Sequence, residues 1–369
     1  MTFRSCMWFL IVYSCVLFPL LLRAQSDPPK VAVQPDGTVE VPAQSVPVSP
    51  FLSPEAKAYL AQHLKDMQNP EILKQDNGVP RFMKSYIARD RELFAVERQD
   101  QKIGGVHTYV YTPKAGVSTA NKDRVLVNLH GGGFSGCWPG CAELESIPVS
   151  AMGQIEVVSV DYREGPEYKF PAASEDVAAV YAELLKTHRS QDIGIYGCSA
   201  GGIQTALSIA WFQAHSLPRP GAIGIFCASA GGVFGGDALY TAMPLGEARL
   251  VPPGPPQERP PLSYFSGTDP KKDPLVAPVH FPEVLAKFPP TLVITGTRGF
   301  ELSAALYTHE QLVKAGVDAE LHVWEGLFHG FFYNVDVPES RDALNVIVRF
   351  FNRHLGVAPE TAGATTGGR

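Results

Sequence analysis

Beyond residue 22 the chain has no apolar run long enough to cross a bilayer, since a spanning helix needs about 20 consecutive apolar residues. Charge is sparse at 18% of residues, and the formal net charge is −6. That balance argues against nucleic acid as a partner and against electrostatic docking on anionic lipid. Cysteine is scarce, six in 369 residues, too few for a disulfide framework in a chain of this size. No Cys/His spacing matches a zinc site, and no internal repeat is present. Hydrophobic residues make up 45%, as in an ordinary globular protein. The length suits one large α/β domain with a small accessory piece.

The first 24 residues read as an export signal. Arg4 gives a positive start, Met7 to Leu22 is almost wholly apolar, and Leu22-Arg23-Ala24 is a usable cleavage site. Pro19 interrupts the apolar run. The expectation is an exported protein, periplasmic or secreted; the alternative is an uncleaved membrane anchor. Residues 25–52 are Pro-, Val- and Ser-rich and read as a linker or extended arm. Residues 53–100 read as a helical cap, with Ser53 capping, Pro54 in the first turn and a second amphipathic segment from Arg81 to Phe94. Residues 101–356 carry the catalytic domain, and 357–369 form a Gly/Ala/Thr-rich tail expected to be disordered.

Within that domain, strands are expected to begin near Val106, with His107 to Thr112 alternating as an antiparallel or edge strand. Short apolar strands follow at 124–129, 155–160, 192–196, 222–227, 290–295 and 319–324. Helical segments separate most of them, at 142–152, 171–188, 202–215 and 301–315, and a last helix spans 339–355. Residues 244–262 are dense in proline and read as an irregular excursion. Strands alternating with helices specify an α/β fold, a mostly parallel sheet with helices on both faces. Sites in such sheets form beyond the carboxyl ends of the strands.

Three motifs lie there. Gly197-Cys198-Ser199-Ala200-Gly201 is a G-x-S-x-G turn between a strand and a helix, which presents Ser199 as a nucleophile. Cys198, at the x position, points away from substrate. A serine hydroxyl needs a base, and an acid behind the base. His329, in Gly326 to Phe331, is the best base, and its apolar neighbours are expected to keep it neutral. His63, His188, His215 and His354 fall on expected helices and His309 and His322 in regular elements, where a solvated or satisfied-core role is expected. His280 is the one rival base. His130-Gly131-Gly132-Gly133 follows a strand, and backbone N–H groups of Gly132, Gly133 and Ala200 are the candidate oxyanion hole. His130 itself is expected to hold the loop. Cys137 and Cys141 flank a short loop and are close enough to pair.

These motifs, together with Asp161-Tyr162-Arg163, Pro171-Ala172-Ala173 with Asp176, and His329-Gly330-Phe331, resemble the hormone-sensitive-lipase-like branch of the α/β-hydrolases. The resemblance covers roughly residues 50–355. It implies an α/β-hydrolase fold, no cofactor and no metal, a small-molecule ester as substrate, and an N-terminal cap over the acyl and alcohol pockets. It also implies structural roles for Asp161, Arg163 and Asp176. A homodimer is left open. Two departures stand out. Cys198 replaces the acidic residue the branch carries before its serine, a change expected to tune packing. Gly299 stands where the branch carries the triad aspartate. Glu301 is the nearest substitute, Asp237 follows another strand, and a triad without an acid is the third alternative; Asp269 and Asp273 are expected to brace a turn. The implied activity is a serine carboxylesterase for short acyl chains. Its rivals are a weak or inactive ligand-binding member of the fold, as in the gibberellin receptors of plants, and a sugar-ester deacetylase or amidase.

Overall fold

The strands from Val125 to Gly296 are short, largely apolar runs, because both faces of the sheet they build are covered, whereas the last strand, Ala319–Trp324, is only partly buried and carries Glu320 and His322. The computed structural model describes residues 31–231, 235–250 and 262–357. The expected signal at 1–24 lies outside them, as does the tail from residue 358. Of the described residues, those up to Pro47 fall in one compact unit and those from Val48 in another. In the first, β1 (Ala32–Val33) and β2 (Val39–Glu40) pair antiparallel. The unit boundary thus precedes the expected end of the linker at 52.

The second unit opens with three helices, α1 (Pro54–Asp66), α2 (Pro70–Leu73) and α3 (Lys84–Leu93). Ser53 caps α1 as expected, accepting from the Ala56 N–H at 3.0 Å. A ribbon of β3 (Gln75–Asp76) and β4 (Val79–Pro80) lies between α2 and α3. The helical segment ends at Leu93, so the expected boundary at 100 falls inside a strand.

That strand is β5 (Val96–Ile103), followed by β6 (Val106–Pro113). Then come β7 (Val125–Leu129), α4 (Gly140–Gly153), β8 (Glu156–Val160) and α5 (Ala172–Leu184). Next are β9 (Ile193–Cys198), α6 (Ala200–Ala214), β10 (Ala222–Phe226) and α7 (Ala238–Glu247). The chain closes with α8 (Pro282–Leu285), β11 (Thr291–Gly296), α9 (Leu302–Lys314), β12 (Ala319–Trp324) and α10 (Pro338–His354). Eight strands form one sheet in the order β12-β11-β10-β9-β7-β8-β6-β5. It is parallel from β12 to β8, with β6 antiparallel to β8 and β5 antiparallel to β6.

Successive residues of a strand face opposite sides, and each side has its own core. Leu126, Tyr196 and Phe226 pack with Leu144 and Phe351 on one face. Val127, Ile195 and Ile225 pack with Val177 and Ile203 on the other. Each such side chain contributes about 1.5–3 kcal/mol on burial. No described helix is long and apolar enough to cross a membrane.

The fold differs from the expectation in three places. β6 is antiparallel, one of its two expected characters, but it is an inner strand, and the edge belongs to β5, whose sequence Val-Glu-Arg-Gln-Asp-Gln-Lys-Ile is exposed in its middle six residues. Its pairing with β6 rests on backbone, so no apolar alternation marks it. The expected helix 171–188 ends at Leu184. The expected excursion at 244–262 begins inside α7, which continues through Pro244 to Glu247. The N–H that Pro244 lacks would have bonded Tyr240, an exposed residue.

Candidate active site

Four loops leave the carboxyl ends of β7, β9, β11 and β12 on one edge of the sheet. They carry Gly131–Gly133, Ser199, Glu301 and His329, respectively.

Ser199 separates β9 from α6 with φ 58° and ψ −122°, a region costly for a side-chain-bearing residue. Its N–H donates to the Phe226 carbonyl at 2.8 Å, which fixes the turn on β10. The turn also packs against the end of β7: a Cβ on Gly197 or Gly201 would collide with the Leu129 carbonyl. Both glycines of the motif are therefore required by this close approach. Cys198 is fully buried beneath the turn. Ala200 opens α6, where backbone N–H groups have no partner within the helix.

The glycine loop is held from several sides. Tyr162 Oη donates to the His130 carbonyl at 2.6 Å, and the two rings stack. Burial holds the His130 imidazole down at about 4, so it is neutral and acts as a brace, as expected. Gly132 and Gly133 have φ +131° and +66°. Farther along, Cys137 and Cys141 form a disulfide that ties the loop to the first turn of α4. Met83 Sδ of the cap segment lies 3.8 and 3.9 Å from the two sulfurs.

Glu301 is fully buried and stands at the N-cap of α9, with its side chain turned inward. Oε2 lies 3.0 Å from His329 Nδ1, and Oε1 accepts from Thr295 Oγ1 at 2.9 Å. A Cβ on Gly299 would lie 2.5 Å from Oε1. The Glu301 carboxylate thus occupies the space that a side chain at 299 would enter. Asp237, the other candidate acid, is exposed at the start of α7. Asp269 accepts from the Lys271 N–H and Asp273 from the Leu275 N–H, so both brace turns. His280, the rival base, is exposed.

The expectation of a neutral His329 does not hold. Burial alone would lower its pKa, but the Glu301 carboxylate outweighs burial and raises it to about 9. Reciprocally, burial would raise Glu301, and His329 pulls it below the ordinary carboxylate value. Phe300 stacks on the His329 ring at 4.6 Å. Cys227, Glu301 and His329 form the one described group close enough to hold a metal ion. Glu301 Oε2 and His329 Nδ1 are committed to each other, and burial keeps the Cys227 thiol protonated.

Ser199, His329 and Gly131–Gly133 line a single cavity of about 270 Å³. Arg163 binds Asp176 at 2.9 Å and Asp161 binds His107 Nδ1 at 2.8 Å, so these residues brace the frame. Several contributors carry no sequence motif. Glu145 of α4 is fully buried and accepts from Gly131 N, Asn128 Nδ2, Cys198 N and Tyr333 Oη at 2.8–3.2 Å. His63 and Glu247 also line the cavity. His63 is 5% exposed and its Nε2 has no hydrogen-bond partner. It is therefore neither solvated nor a satisfied core residue, against the expectation for its helix. A histidine on an amphipathic helix and an acid at a helix end give no signal that separates these roles.

Residues 126–333 match the family model described as alpha/beta hydrolase fold. An acetyl-hydrolase of Streptomyces hygroscopicus is 28% identical over 274 residues, 73% of this chain and 89% of that protein. A solved esterase structure is 27% identical with a TM-score of 0.72, covering 86% of this chain and 98% of that one. An esterase from the bacterial hormone-sensitive lipase family, 23% identical with a TM-score of 0.69, covers 82% and 99% and shares the fold. Fold and likenesses define a hydrolase of the esterase class. The chain belongs to the α/β-hydrolase fold family.

Proposed function

We propose that the chain is a serine carboxylesterase acting on short-acyl esters. Ser199 Oγ attacks the ester carbonyl carbon while His329 Nε2 takes its proton. The carbonyl oxygen, now negative, lies against the N–H groups of Gly132, Gly133 and Ala200. When the C–O bond to the alcohol breaks, the alcohol leaves with the proton from His329. Water then attacks the acyl-Ser199 ester with His329 again as base, which releases the acid and restores the serine. Glu301 orients the imidazole through Nδ1 and stabilises its cationic form.

The observation that carries this reading is the fully buried Glu301 carboxylate 3.0 Å from His329 Nδ1, beside the cavity that His329 shares with Ser199. It supplies the acid that Gly299 cannot, which leaves the ligand-binding alternative without its one argument. The small cavity supports short acyl groups. Residues 1–24 support export, with the mature enzyme acting outside the cytoplasm. In the test, Ser199→Ala loses hydrolysis of p-nitrophenyl butyrate and organophosphate labelling, while the wild type shows both. Full activity in that variant overturns the reading.

A further inference from the structure

The catalytic cavity contains a second pair of ionisable side chains that the ester chemistry does not use. His63 comes from α1 and Glu247 from the last turn of α7, and both line the cavity with Ser199 and His329. The His63 ring is held flat against Phe328, centroids 3.6 Å apart and planes within 9°. Its Nε2 is buried without a hydrogen-bond partner. The nearest Glu247 oxygen lies 3.9 Å away, with side-chain exposures of 6% for His63 and 15% for Glu247. That separation is beyond hydrogen-bond length. A buried polar atom left unpaired is costly and calls for a partner.

We propose that His63 and Glu247 form a subsite for a substrate hydroxyl, so that the preferred esters carry a free hydroxyl near the scissile bond. Partially acylated polyols and hydroxyacyl esters are the matching classes. This rests on the esterase reading above and deepens it. The donor–acceptor balance selects the group. With the proton on Nε2, His63 donates and Glu247 accepts. A hydroxyl can accept from the first and donate to the second at the same time. An ammonium only donates and leaves the His63 N–H unpaired, whereas a carbonyl only accepts and leaves the carboxylate unpaired. A methyl group in the same place satisfies neither. Phe328 precedes the candidate base His329 in the chain, so the stack also places this subsite beside the reacting centre.

The test compares kcat/KM for pairs in which a methyl replaces the hydroxyl. Glycol monobutyrate against propyl butyrate probes the alcohol side. Ethyl β-hydroxybutyrate against ethyl isovalerate probes the acyl side. The wild type is expected to favour the hydroxyl member of one pair by about tenfold or more, because a site built for a hydroxyl rejects the analogue that lacks it. His63→Phe, which keeps the stack on Phe328, and Glu247→Leu should each bring that ratio close to unity. If His63→Phe does not fold, the Glu247→Leu ratio decides. A wild type that hydrolyses propyl butyrate with ratios near unity in both pairs overturns the subsite and leaves the esterase reading intact. A preference that survives in both variants does the same. A wild type inactive on all four esters and unlabelled by an organophosphate overturns both.

Discussion

Glu301 and Gly299 share one volume. A carboxylate on residue 299 would meet the Glu301 carboxylate, because even a Cβ there lies 2.5 Å from Oε1. Restoring the aspartate of the family pattern with Gly299→Asp should therefore give no gain in turnover. Two buried like charges repel, and a loss in kcat is expected. Gly299→Asp combined with Glu301→Ala should recover activity over Glu301→Ala alone; steady-state kinetics on all three variants check this. The same carboxylate sets the pH response. Glu301 raises the His329 pKa to about 9, so the wild-type kcat/KM should climb with pH toward that value as the base loses its proton. Glu301→Gln should move that limb to lower pH and reduce kcat by roughly 10³–10⁴-fold. The sequence showed that residue 299 could not serve, and Glu301 was its nearest substitute. It could not show the outcome, because that depends on whether α9 starts at 301 or 302 and on which way one side chain turns.

Among the elements, α4 binds the site loops together. One carboxylate, Glu145, accepts from the glycine loop through Gly131, from the nucleophile turn through Cys198, and from Tyr333 of the segment after His329. Burial nonetheless raises its pKa to about 7, because the four donors offset only part of the cost of a fully buried charge. The sign of the linkage follows. Between its ordinary value near 4.5 and 7 the folded chain binds this proton more tightly than the unfolded chain. Stability from this group therefore falls as pH rises through that window, by roughly 3 kcal/mol, and levels off above it. Urea unfolding from pH 5 to 8 should show the wild type losing stability relative to Glu145→Gln up to about pH 7 and then running parallel. The helix itself was legible from sequence, but its pivotal acid was not. Almost every residue of α4 is buried, Glu143 included, so no polar face distinguishes an acid paired with Arg91 and Arg98 from one that clamps the site. β5 was missed for the opposite reason, since its exposed polar residues carry no pattern.

At the scale of the whole molecule, the alternation of strand and helix was the most legible feature, because burial on both sheet faces leaves little choice of residue type. The cap was legible as helices but not as a wall. Tyr59, Phe82 and Tyr86 line the catalytic cavity on one side and a second hollow of about 500 Å³ on the other. In the esterase proposed above, these side chains limit the length of acyl chain the cavity accepts. Phe82→Ala should open one space into the other and raise the octanoate-to-butyrate ratio of kcat/KM by about tenfold, corresponding to roughly 1.4 kcal/mol. An unchanged ratio would place the acyl group elsewhere.

The clamp on Glu145 has a kinetic consequence. A segment that opens must leave its acceptor behind, and here three segments share one acceptor with no solvent around it. Releasing any one of them exposes the others to the same loss, so they form a single unit of local opening. In deuterium exchange, the amides of Gly131 and Cys198 should exchange at matched rates and with matched sensitivity to denaturant, although they lie 67 residues apart in the chain. Glu145→Gln should separate the two rates. With Glu145 in place, the site behaves as one lock, either closed or wholly open.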